Sequence, residues 1–180
     1  MKLVLASKNQ KKLVEMRDIL SHMGVEVCLQ SDVGVDVDVE ETGTTFEENS
    51  LLKARAVMEA SGLPAIADDS GLCVDALGGA PGVYSARYGG PGLDDVGRYR
   101  LLLENMKGQP RGAKFVSVIT CCFPNGDVLT ARGECPGTCL LYTSSSSCVI
   151  CCLIRVSLMR WPILISTAGL LISFHMVRCV

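Results

Sequence analysis

Four groups of residues in this chain could do chemistry. Asp68 and Asp69 are adjacent in Pro64-Ala65-Ile66-Ala67-Asp68-Asp69-Ser70-Gly71-Leu72. Glu40 and Glu41 are adjacent just before Thr42-Gly43. Ser7-Lys8-Asn9-Gln10-Lys11-Lys12 is a basic run, and Arg87 lies between two glycine-rich stretches at 78–82 and 89–92. Carboxylate pairs beside lysines suit a magnesium-bound polyphosphate. Mg²⁺ is held by one or two carboxylates together with the ligand's own phosphates. A further carboxylate can take a proton from water, and the metal steadies charge on phosphorus and on the leaving group. Neighbouring residues on a strand face opposite ways, so Asp68 and Asp69 are expected to do different jobs. Taken alone, each group also has an ordinary reading: an Asp-Ser-Gly turn, a solvated basic loop, an acidic sheet edge, a surface connection around Arg87. No GxxxxGK[ST], HExxH or GxSxG motif is present.

The elements that must position these groups follow from pattern. Lys2–Ala6 reads as a buried first strand, and 10–23 as a helix with Leu13, Met16, Leu20 and Met23 at helical spacing. Gly24 is its expected stop. A strand, a short polar loop and a helix gather backbone N–H groups and the positive end of a helix dipole at one spot. Lysines there run against the usual preference for acids at a helix start, which points to an anionic ligand. Val25–Gln30 reads as a second strand. In 32–41, Val33, Val35, Val37 and Val39 alternate with Asp32, Asp36, Asp38 and Glu40, which predicts a strand with one acidic face. Thr45 with Glu48 is a capping-box signal for a helix over 45–60. Residues 65–67 predict a short buried strand that ends at Asp68 and Asp69, with a turn at Ser70-Gly71. A helix over 93–106, with Val96, Tyr99, Leu102 and Leu103 on one face, is followed by strands 114–123 and 128–134. Pro124-Asn125-Gly126-Asp127 is a hairpin between them. The order implies an α/β domain with a mixed sheet flanked by helices.

The composition divides the chain. All 19 Asp and Glu lie within residues 1–137. Beyond that point only Arg155, Arg160 and Arg178 carry charge, amid serine, cysteine and apolar residues. The net charge of −2 gives no reason to expect nucleic-acid binding, and no signal peptide opens the chain, so the cytoplasm is the expected compartment.

Several stretches together resemble the inosine/xanthosine triphosphate pyrophosphatase family. They are Ser7-Lys8-Asn9 with Lys12 and Glu15; Glu40-Glu41-Thr42-Gly43; Thr45-Phe46-Glu47-Glu48-Asn49; Lys53-Ala54-Arg55; Ala67 to Leu72; and Gly78 to Gly82 followed by Ser85-Ala86-Arg87. The septum-inhibitor-like pyrophosphatases fit less well. The resemblance implies a pyrophosphatase domain over 1–137 with that family's fold. It implies Mg²⁺ as cofactor, a purine nucleoside triphosphate as substrate and a homodimer. It further implies cleavage of ITP, dITP or XTP to the monophosphate and pyrophosphate, which keeps deaminated bases out of nucleic acids. On this resemblance Ser7, Lys8, Asn9, Gln10, Lys11 and Lys12 contact phosphates, and Glu40 and Asp69 bind Mg²⁺. Asp69 also activates water, with Asp68 and Glu41 close by. Ser70 binds substrate, and Lys53 and Arg87 touch phosphate or order the site.

After Gly137 the family's base-gripping Phe-Gly-Tyr-Asp, Lys and Ser-His-Arg segments do not follow. His175 matches none of them. The stretch 138–180 is therefore expected to be a frameshifted or chimeric tail that is not native-like, which resequencing the source DNA would test. Two other uses of it are weaker. Trp161–Met176 is shorter than the ~20 residues needed to span a bilayer. A zinc site would have to draw on Cys135, Cys139, Cys148 and Cys151. The alternatives to an active enzyme are an inactive nucleotide-binding remnant without base recognition and a protein tethered to a membrane by the tail.

Overall fold

The computed structural model describes residues 1–139, and the expectations for the tail beyond them lie outside the described residues. Five strands form one mixed sheet in the order β2-β1-β3-β4-β5: β1 Lys2–Leu5, β2 Glu26–Leu29, β3 Ala65–Val74, β4 Gly112–Cys122 and β5 Val128–Thr138. β1 runs parallel to both β2 and β3. Among the described residues three α-helices accompany the sheet: α1 Gln10–Leu20, α2 Phe46–Ser61 and α3 Asp95–Asn105.

The described chain separates into two compact units. The first comprises Met1–Asp68 and Val118–Ala131, and the second Asp69–Ser117 and 132–139. In the first, Leu13, Met16 and Leu20 of α1 pack on Leu3, Leu5, Val27 and Ile66 of the strands. On the other strand face, Val4, Cys28 and Ala65 pack with Val57 of α2, and Ala54 packs with Ala67 and Cys122. Each fully buried Leu or Ile here contributes ~1.5–3 kcal/mol, so α1 and α2 are held on opposite faces of β1 and β3. The second unit has its own core of Val74, Leu102, Met106, Ala113 and Cys139.

The expected first strand, the helix after it and the capped second helix are all present. α1 ends at Leu20, and a turn of 3-10 helix carries the chain on to Gly24, which takes the left-handed conformation at φ 67. Three expectations are corrected. Residues 32–41 join no strand of the sheet. Gln30–Val33 is a 3-10 helix, the Asp32 carboxylate accepts from the Leu29 N–H, and the Gln30 side chain donates to the Val37 carbonyl. Burial still alternates from Val35 to Glu41, so the period-2 pattern reports a one-sided surface without a paired strand. Asp68 to Gly71 are not a turn: β3 runs through them to Val74. On α3, Val96 and Tyr99 are exposed; Leu102 is its buried residue, and Met106, its C-cap, is buried in the same core.

Candidate active site

The β1–α1 junction is built from local bonds. The Ala6 N–H donates to the Ile66 carbonyl at 2.8 Å, which holds the end of β1 beside β3. The Asn9 N–H donates to Ser7 Oγ, and Asn9 Oδ1 accepts from the Lys11 N–H at 2.9 Å, so Asn9 is the N-cap of α1. Gln10 and Lys11 are exposed at the helix start, and the first turn contains no acid. The uncompensated positive end of α1 therefore opens beside lysines, an arrangement that favours an anion.

Lys12 Nζ donates to both oxygens of Asp68, at 2.9 and 2.8 Å. The Asp68 side chain is 11% exposed and that of Lys12 35%. The alternation of β3 accounts for this pairing. Asp68 shares the strand face of Ile66, the face on which α1 packs, whereas Asp69 shares the face of Ala65 and Ala67. The two carboxylates therefore do face different ways, as expected. Asp69, the first residue of the second unit, is buried at 7% exposure.

The acidic segment before α2 is also tied down. Glu41 Oε1 accepts from Lys53 Nζ at 2.9 Å, with both side chains mostly shielded. The Gly43 N–H donates to Asn49 Oδ1 at 2.8 Å. A Cβ at Gly43 would stand 2.5 Å from that same oxygen and 2.7 Å from Glu48 Cβ, so only glycine fits this approach. Glu48 accepts from the Thr44 and Thr45 N–H groups and the Thr44 hydroxyl, and these bonds hold its carboxyl below the usual range. Glu40 is exposed, and among the described residues it has no ion pair.

Lys8 pairs with Asp36 at 2.8 Å in the open, and that hydrogen bond and charge raise its pKa. In the second unit, Ser70 lies on β3. The Ser85 hydroxyl donates to the Gly82 carbonyl and accepts from the Leu72 N–H, fixing the 3-10 helix Gly82–Arg87 to β3. Arg87 is exposed, with its guanidinium 5.1 Å from the centroid of the Tyr84 ring.

The structure thus brings Lys12 to Asp68 and Lys53 to Glu41. Two buried polar residues carry no site role in the sequence reading: Asn49, quoted there only within the 45–49 stretch, and Gln30. A signal for Asn49 exists. The buried stripe of α2 is Phe46, Asn49, Ser50, Ala54 and Val57, so two polar residues occupy positions where helical periodicity asks for apolar ones. Ser50 is satisfied by a 2.6 Å hydrogen bond with Thr120. Among the described residues no three His, Cys, Asp or Glu side chains gather as a metal cluster.

Fold and site together define an α/β protein with a lysine–carboxylate cluster at a strand–helix junction. The chain belongs to the Ham1 family, whose model matches residues 3–146. It is 53% identical over 141 residues to the dITP/XTP pyrophosphatase of Haemophilus ducreyi, covering 76% of this chain and 71% of that protein. The dITP/XTP pyrophosphatase of Haemophilus influenzae is equally similar, with 76% of this chain and 72% of the relative covered. The Ham1 protein of Staphylococcus aureus superposes with a TM-score of 0.73 at 38% identity, over 82% of this chain and 78% of that one.

Proposed function

We propose that this chain hydrolyses purine nucleoside triphosphates with deaminated bases (ITP, dITP and XTP) to the monophosphate and pyrophosphate. The observation that carries the reading is the β1–α1 junction, a helix start without acids and flanked by lysines, with Lys12 held on a carboxylate of β3. Relatives named dITP/XTP pyrophosphatase at 53% identity support the substrate class. In this reading Ser7 to Lys12 receive the phosphates, Ser70 binds substrate, and Arg87 touches phosphate or orders the site. Asp69 accepts a proton from water as the water oxygen attacks the α-phosphorus. The bond from that phosphorus to the bridging oxygen breaks, and pyrophosphate departs. Asp68 keeps Lys12 in place, and Glu41 does the same for Lys53.

Mg²⁺ is the proposed cofactor, held by Glu40 and Asp69. The fit rests on donor chemistry: both offer carboxylate oxygens, and Glu40 is not committed to a lysine or arginine among the described residues. Two protein carboxylates match the way Mg²⁺ is usually held alongside substrate phosphates. When bound, the ion would neutralise charge on the phosphates and the departing pyrophosphate. A homodimer in the cytoplasm completes the reading. Among the described residues no helix is long and apolar enough to cross a membrane.

The test is magnesium-dependent pyrophosphate release from ITP and XTP, with ATP and GTP as controls. The expected result is release from ITP and XTP well above the controls. Asp69→Asn is expected to lower kcat/KM by ~10²–10⁴-fold, the range for loss of a general base. Orthophosphate as the first product would sink the reading.

A further inference from the structure

We infer that Asn49 is a positioning residue for the metal-binding carboxylate Glu40. The inference rests on the reading of Glu40 as a metal ligand. Segment 40–43 has no sheet partner to fix it, so its placement must come from elsewhere. α2 supplies that placement at two points one turn apart. Asn49 Oδ1 accepts the Gly43 N–H, and four residues on, Lys53 Nζ binds Glu41 Oε1. Residues four apart lie on one helix face, so the two contacts clamp both ends of 41–43 against the same stripe. The Thr42 N–H bonds back to the Glu40 carbonyl at 3.0 Å, which carries the constraint to Glu40 itself.

The clamp is rigid at its base. Asn49 is fully buried, and its neighbour Ser50 anchors that turn of α2 to Thr120 of β4. The contact has no slack either, since Gly43 approaches Asn49 closely enough to exclude a Cβ. Lys53 neutralises Glu41 and leaves Glu40 as the carboxylate of the pair without an ion pair among the described residues. Asn49 therefore decides where the uncommitted carboxylate stands by holding the backbone that carries it.

The experiment measures Mn²⁺ binding to the nucleotide-free full chain by calorimetry, in wild type, Asn49→Leu, Asn49→Asp and Gly43→Ala. Leucine is near in size to asparagine and lacks the acceptor, aspartate keeps an acceptor at the same place, and alanine at 43 breaks the contact from the other side. Asn49→Leu and Gly43→Ala are expected to weaken Mn²⁺ binding about tenfold, which is about 1.4 kcal/mol, and Asn49→Asp to stay within threefold of wild type. Hydrogen exchange at the Gly43 amide should be fast in the first two variants and slow in the third. Folded Asn49→Leu and Gly43→Ala proteins that bind Mn²⁺ like wild type overturn the inference, even if Gly43 exchanges faster. So does a wild type that takes up no Mn²⁺. A wild type that binds Mn²⁺ and releases no pyrophosphate refutes the proposed function and leaves the clamp standing.

Discussion

Three lysine–carboxylate pairs of the first unit differ in burial. Lys8 and Asp36 are largely exposed, Lys12 and Asp68 partly shielded, Lys53 and Glu41 mostly shielded. An exposed pair gains little because water screens it and two long side chains must be ordered. A shielded pair that loses one member leaves a charge poorly solvated. Lys53→Met is therefore expected to destabilise the protein by ~1–2 kcal/mol, between the exposed and buried extremes, and Lys8→Met to leave the urea midpoint unchanged. Equal midpoints for the two variants would show that shielding at Glu41 does not matter. Both variants should weaken triphosphate binding if the phosphate reading is right, so stability, not binding, separates Lys8 from Lys53. The identity of these groups was legible in the sequence because adjacent carboxylates and clustered lysines are local features. Their pairing was not. Lys12 and Asp68 are brought together by the packing of α1 on the Ile66 face of β3, and no local feature specifies which lysine meets which acid.

At the level of elements, the parts that carry their own termination signals were readable. α2 begins at Thr45, whose hydroxyl accepts from the Glu48 N–H while Glu48 reaches back to the Thr45 N–H. Thr45→Ala is expected to cost ~1 kcal/mol, measured by urea unfolding. The Glu48 part of this cap depends on pH in a defined sense. Its folded pKa lies below the ordinary 4.5 because the N–H and hydroxyl donors of Thr44 and Thr45 favour the carboxylate. The ionised form thus stabilises the fold above 4.5, and the benefit fades as pH falls through the depressed folded value. Glu48→Gln should lower Tm at pH 7, and the gap should close in acid. A gap that persists unchanged at pH 2.5 would assign the loss to packing instead. Elements that need a partner were misread. The period-2 pattern of 32–41 looks like a strand, but a strand also needs a neighbour for its backbone, and here Gln30 satisfies the Val37 carbonyl in that role. Asp-Asp-Ser-Gly looks like a turn, yet Asp69 and Gly71 are buried in the middle of a ten-residue strand, where the surrounding sheet overrides turn chemistry. For α3, periodicity identified a helix, but two residues of its expected apolar face are exposed, because a stripe does not say which of its ends is covered.

Across the whole molecule, two units each have a core of their own, yet β3, β4 and β5 run without a break from one into the other, crossing at Asp68–Asp69, Ser117–Val118 and Ala131–Arg132. A strand cannot lose its order at one end without fraying the residues bonded to it, so the two cores are expected to unfold in one transition. Buried cysteines report on this directly. Cys121 sits in the core of the first unit, and Cys135 is buried in the second. Burial pushes the Cys121 thiol up to about 12 and raises that of Cys135. Only the thiolate reacts with an alkylating agent, so at pH 8 both should resist iodoacetamide in the native protein and react once exposed. In a urea series with brief labelling and mass-spectrometric mapping, the midpoints for Cys121 and Cys135 are expected to coincide. If Cys135 became reactive at clearly lower urea, the second unit would open alone. Because Asp69, the proposed base, belongs to that unit, the urea concentration at which Cys135 labels should then also mark the loss of pyrophosphate release, while Cys121 stayed protected.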